Sequence, residues 1–160
     1  VQYLEALEEK GYIQKFSKVR GIRITEEKVG NFFPIPLLGN ADCGSPLSYA
    51  EDRAEDYINV SEKFLKGNPQ EYFFVKASGT SMNKEGIHDG DFVLARKNDA
   101  PDNGKNVVAV INGLGTIKKL HKSGSSFRLM PSSTDTKHKP IFLHLSDNIL
   151  ICGQVERVFN

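Results

Sequence analysis

Asn112-Gly113 stands between two runs that alternate apolar and polar side chains, "KNVVAVI" and "LGTIKKL". That dipeptide tolerates the positive φ angles of a two-residue turn, so the pair of runs reads as a β-hairpin. The same punctuation recurs about every ten residues from Glu71 onward. "EYFFVKAS" and "DFVLARK" are strands, separated by a connection holding the turn residues Gly86, Asp89 and Gly90. "SFRLMP", "IFLHL" and "NILICGQVERVF" complete roughly seven strands. The second half of the chain is therefore expected to be a β-sheet or barrel, and the fold class mainly β.

The first 70 residues are built differently. Residues 1–13, "VQYLEALEEKGYI", carry apolar side chains at helical spacing, with Gly11 as the stop. "YIQKFSKVRGIRI" then reads as two short strands with a basic tip holding Lys15, Lys18 and Arg20. A helix followed by a basic hairpin has the shape of the second half of a winged helix. An ordinary α-β fragment fits the pattern as well. Residues 26–48 hold three of the seven prolines. They are too apolar for a free linker and are expected to lie extended on another surface. Residues 49–68 read as one or two helical turns and a short helix ending near Gly67.

Net charge is +1, which excludes a whole-surface electrostatic grip on nucleic acid. The charge is unevenly spread: residues 1–25 carry five basic against three acidic groups, 26–70 four against eight, and 71–160 twelve against nine. No apolar run approaches the ~18–20 residues of a membrane helix, and no secretory signal is visible. The two cysteines, Cys43 and Cys152, form no CxxC, so free thiols in a reducing, cytoplasmic setting are expected. The four histidines are scattered, without HExxH or zinc spacing, and no glycine-rich loop with GK[ST] occurs. Neither a metal nor another cofactor is expected. Asp89 and Asp91 lie at a strand entrance, where acidic turn residues are common.

Nucleophiles remain. "KASGTSMNKEGIHDGD" offers Ser81, but a serine needs a base to take its proton. His88 is seven residues away across a turn, and nothing in the spacing brings it to Ser81. A lysine serves only if burial lowers its pKa from about 10.4 toward neutrality, at roughly 1.4 kcal/mol per unit. On the strand "LGTIKKLHK", Leu114, Thr116, Lys118 and Leu120 share one face, and Gly115, Ile117, Lys119 and His121 the other. The two lysines cannot reach the same solvent from opposite faces. The pattern nominates Lys118, which shares its face with two leucines and a hydroxyl. It leaves open an edge strand with both lysines reaching water.

The motifs "SGTSM", "GIHDGDFVLARK" and "NGKNVVAVINGLGTIKKL", in this order, resemble the self-cleaving domain of LexA-type repressors, shared with phage repressors and UmuD-type proteins. The resemblance runs from about Ala41 to Asn160 and implies a signal-peptidase-like β domain. It implies a serine–lysine dyad of Ser81 as nucleophile and Lys118 as general base. The Met82 N–H would hold the oxyanion and Thr116 would orient the amine. "ADCGSPL" looks like the family's cleavage sequence, with the cut between Cys43 and Gly44. The start of the chain is similar to the end of a LexA winged helix. The implied organisation is therefore 1–25 winged helix-turn-helix end, 26–40 linker, and 41–160 peptidase and dimerisation domain. The family's earlier helices have no counterpart in this sequence, so weak binding to operator DNA is expected of it. Further partners implied by the resemblance are a second copy, in a homodimer, and a RecA filament on single-stranded DNA. A self-processing polymerase accessory of UmuD type, or a phage repressor, is the alternative.

Overall fold

The computed structural model describes residues 13–16 (as backbone), 30–39, 54–144 and 148–160. The helix expected in the first ten residues and most of the basic hairpin fall outside them. Ten strands form one sheet among these residues: β1 Ile13–Phe16, β2 Phe32–Leu37, β3 Asp56–Ser61, β4 Tyr72–Lys76, β5 Phe92–Lys97, β6 Asn106–Ile111, β7 Leu114–Ser123, β8 Ser126–Met130, β9 Ile141–Phe142 and β10 Ile149–Phe159. Their order across the sheet is β1-β3-β2-β4-β5-β10-β6-β7-β8-β9. The seven strands expected after Glu71 are β4 to β10.

Period-two alternation divides the core. On β4 and β5, Phe73, Val75, Val93 and Ala95 pack with Met82, Ile87 and Val108, while Tyr72, Phe74, Phe92 and Leu94 pack with Ile35, Ile58 and Phe159. Both faces of these strands are buried, which is why they read as continuous apolar runs. Each such side chain contributes about 1.5–3 kcal/mol on leaving water. The hairpin forms as its turn demands, with Asn112 at φ 50° and Gly113 at φ 82°.

The short helix expected in 49–68 is not found in the described part of that range. Residues 56–61 are β3, followed by a single 3-10 turn, Glu62–Phe64. "DYINVS" buries Ile58 and Val60 and pairs along its whole length with β2, and that ladder outweighs the helical spacing of the flanking acids. The expected extended segment is β2. Asn31 and Leu37 accept from the Glu62 and Glu55 amides, so the odd positions face β3. The missing donors of Pro34 and Pro36 then face β4, with which β2 shares the single register pair Leu37–Phe74. Strand β1 pairs with β3 and sets Lys15 opposite Ile58.

Candidate active site

Ser81 lies in the connection from β4 to β5. The neck of that connection is closed by Ala77 N–H donating to Asp91 O (2.8 Å) and Gly90 N–H donating to Ala77 O (2.9 Å). Its aspartates are turn residues: Asp89 Oδ1 accepts from Gly79 N–H and Asp91 Oδ2 from His88 N–H, both at 2.8 Å. After Ser81 the chain enters the 3-10 turn Asn83–Glu85, stopped by Gly86 in the left-handed region at φ 73°. Met82 is buried, and its carbonyl accepts from the Glu85 and Ile87 amides, which fixes the backbone just beyond Ser81.

Lys118 lies near the middle of β7, which is not an edge strand of the sheet, opposite Val107 of β6 and one residue before the ladder with β8 begins at Lys119. Its Nζ donates to Ser81 Oγ at 2.7 Å, to Thr116 Oγ1 at 2.9 Å and to Ile117 O at 3.2 Å. Among the described residues no carboxylate forms an ion pair with it, and burial pushes its pKa below the ordinary lysine value. The surrounding cleft is floored by Val75, Ala77, Met82, Ile87, Val108 and Ile117. One expectation needs correction: of the two leucines on the face of Lys118, Leu120 is 2% exposed but Leu114 is 71% exposed. Leu114 opens the strand beside the turn, and the apolar wall comes instead from the Ser81 connection, β4 and β6.

Ser81, Lys118 and Thr116 are thus brought together, with Met82 adjacent. Cys43, Gly44, Lys18 and Arg20 lie outside the described residues. The histidines do not meet Ser81; His138 Nε2 lies 2.9 Å from Thr80 Oγ1, one residue away. Among the described residues no cluster of His, Cys, Asp and Glu could hold a metal ion, and no helix is long and apolar enough to cross a membrane.

Sequence reasoning missed a second layer. The segment after β8 straps the connection: Ser132 N–H donates to Ser81 O (2.8 Å), Lys84 N–H to Ser132 O (3.0 Å) and Ser133 Oγ to Thr80 O (2.6 Å). Asn83 Nδ2 donates to Thr134 Oγ1 and Asn83 Oδ1 accepts from Thr134 N–H, at 2.9 Å each. It also missed Glu85, which accepts from Lys119 Nζ at 2.6 Å and Ser132 Oγ at 2.8 Å. The only signal in the chain was an acid four residues after Ser81 and a second lysine directly after Lys118.

A serine hydroxyl on a desolvated, neutral amine can pass a proton to that amine and attack an acyl carbon. Residues 36–156 match the peptidase S24-like family, and the chain belongs to it. Within that family the relatives are of the LexA type. The LexA repressor of Thermotoga petrophila is 36% identical over 158 residues, covering 98% of this chain and 76% of the relative. Those of Clostridium novyi and Myxococcus xanthus are 34% and 31% identical over the same shares. The chain is therefore LexA-like, with a peptidase S24-like domain.

Proposed function

We propose that this repressor inactivates itself by cutting its own Cys43-Gly44 bond with Ser81 and Lys118. Neutral Lys118 takes the proton of Ser81 Oγ, and the oxygen attacks the Cys43 carbonyl carbon. The Met82 N–H donates to the developing oxyanion. Thr116 Oγ1 orients the amine. As the tetrahedral species collapses, Lys118 returns its proton to the Gly44 nitrogen, which leaves as an amine. Water then hydrolyses the Cys43 ester and frees Ser81. Because the substrate is tethered, the rate is set by how often the 40–48 segment occupies the cleft.

The observation that carries this reading is the 2.7 Å contact of Lys118 Nζ with Ser81 Oγ, made by an amine whose charged form is disfavoured by burial. The biological assignment follows the relatives. The protein represses genes of the DNA-damage (SOS) response as a homodimer on operator DNA. A RecA filament on single-stranded DNA stimulates the cut, and the repression ends. The last strand, β10, supplies the dimer contact, and Lys15, Lys18 and Arg20 of a wing contribute to DNA binding. Residues 1–25 are the end of the winged helix, 26–40 the linker and 41–160 the peptidase domain, all in the cytoplasm. That the relatives bear the name LexA repressor favours this over a UmuD-like accessory or a phage repressor.

Incubation of the purified chain from about pH 7 to about pH 10, followed by mass spectrometry, tests the chemistry. Fragments 1–43 and 44–160 accumulate faster as pH rises, and neither forms with Ser81→Ala or Lys118→Ala. A folded chain that stays intact across the whole range would refute it.

A further inference from the structure

The Ser81 connection is built largely from turns, with Gly79, Gly86 and Gly90 all at positive φ. Such a segment does not fix its own distance from β7. Something must hold the two together if Ser81 Oγ is to stay within 2.7 Å of Lys118 Nζ. The carboxylate of Glu85 meets that need. Oε1 accepts from Lys119 Nζ (2.6 Å) and Ser132 Oγ (2.8 Å), and Oε2 accepts from Asn106 Nδ2 (3.2 Å).

The three donors come from three neighbouring pieces of chain. Asn106 and Lys119 are register partners across β6 and β7. Lys119 in turn pairs with Met130 of β8, two residues before Ser132. The same Ser132 gives its N–H to Ser81 O. Consecutive residues of β7 therefore grip the connection at two points four residues apart, Lys118 at Ser81 and Lys119 at Glu85. The 3-10 turn between those points is short and internally bonded, so a displacement of Glu85 passes to Ser81. The pair is partly sheltered, Lys119 at 37% and Glu85 at 23% side-chain exposure. Its carboxylate is held down to about 2, first by the Lys119 bond and then by Ser132.

We infer that Glu85, with Lys119, Ser132 and Asn106, is a positioning device that sets the distance between the serine nucleophile and its lysine base. It touches no reacting atom and acts through the backbone on either side. The inference rests on the Ser81–Lys118 reading above.

The test uses the full chain and two readouts. One is self-cleavage. The other is labelling of Ser81 by a fluorophosphonate, in which Ser81 Oγ bonds to phosphorus and fluoride leaves. Labelling reads the dyad alone, whereas self-cleavage also needs the 40–48 segment in the cleft. Both are followed across pH in Glu85→Gln, Lys119→Met and Lys119→Arg, and rates are expressed per folded molecule from melting curves.

A misplacement near 1 Å costs on the order of 10²-fold, so Glu85→Gln and Lys119→Met are expected to lose about 10- to 100-fold in both plateau rates. The pH midpoint, a property of Lys118, stays in place, and Lys119→Arg recovers most of the rate. If Glu85→Gln does not fold, Ser132→Ala, which removes one bond to the carboxylate but keeps the backbone bond to Ser81, is expected to lose a smaller factor in both. Wild-type labelling in the Glu85→Gln and Lys119→Met variants would overturn the inference. So would a loss confined to self-cleavage, or an arginine variant as slow as the methionine one. Cutting or labelling that persists in Ser81→Ala would instead sink the dyad reading itself.

Discussion

Lys118 and Lys119 are adjacent on β7 and end in opposite settings: the first on a hydroxyl, with no carboxylate paired to it among the described residues, the second on the carboxylate of Glu85. Alternation along the strand sends the two stems to opposite faces. Burial without a counter-ion disfavours charge at Lys118. The Lys119 bond is the largest single cause of the lowering at Glu85. One strand thus presents the proposed base and the proposed strut in consecutive positions.

The state of Lys118 gives the proposed activity its pH dependence. An amine works as base only when neutral, so below its pKa the rate rises about tenfold per pH unit. Because that pKa is depressed from 10.5, the self-cleavage rate is expected to level off before an ordinary lysine would titrate. Lys118→Ala removes the base and is expected to bring fragment formation below detection, a loss of at least about 10²-fold. The check is the initial rate of fragment formation against pH. A profile that climbs unbroken through the ordinary lysine range would contradict it.

The same burial has the opposite sign for stability. A lysine with a lowered folded pKa binds fewer protons folded than unfolded between that value and 10.5. Stability therefore rises with pH through this window and is lowest below it. Lys118→Met keeps the stem's apolar contacts and removes the buried amine. It is expected to melt at or above the wild-type temperature at neutral pH while losing self-cleavage. Melting curves at neutral pH and near pH 10 check this, since the gain must shrink as pH rises. A lower melting temperature for Lys118→Met at neutral pH would refute it.

The distinction between base and strut also explains what could be read from the chain beforehand. Strands β4 to β10 were legible because they are bounded by turn residues and alternate or run apolar. Ser81, Thr116 and Lys118 were legible because their motifs carry a family resemblance and Lys118 shares a strand face with Thr116. β3 was not legible: its acidic flank imitates a helix start, and the β2 ladder that decides the matter pairs residues about 20 to 30 positions apart. Glu85 and Ser132 were not legible either. A carboxylate joined to Asn106, Lys119 and Ser132 spans contacts 21 to 47 residues apart, and no local periodicity encodes them.

Glu85 predicts an acid-sensitive step in stability. Its folded pKa is about 2 against an ordinary 4.5, so its contribution is complete above pH 4.5 and disappears as pH falls toward 2. Solvent screens a pair this exposed, and the contribution is taken as about 1 kcal/mol rather than the full shift. Denaturant midpoints of wild type and Glu85→Gln should differ at pH 6 and converge near pH 2. A difference that persists at the acid end would mean that the glutamine perturbs packing and not charge.

Gly153 tests the sheet beneath the site. It lies where β10 shifts register against β6 and where it faces Lys97 of β5. A Cβ at this position would stand 2.7 Å from Arg96 O and 3.0 Å from the Phe73 ring. The first neighbour is backbone and the second is a fully buried ring of the core against which Met82 packs, so neither yields cheaply. Gly153→Ala is therefore expected to cost about 1–3 kcal/mol as overpacking. In a chain of this size each kcal/mol lowers the melting temperature by roughly 2–4 °C. Phe73 belongs to the same core cluster as Met82, so its displacement is expected to disturb the backbone beyond Ser81 and lower the plateau cleavage rate per folded molecule. A melting temperature within about 1 °C of wild type would show that β10 can move away from Arg96 at no cost.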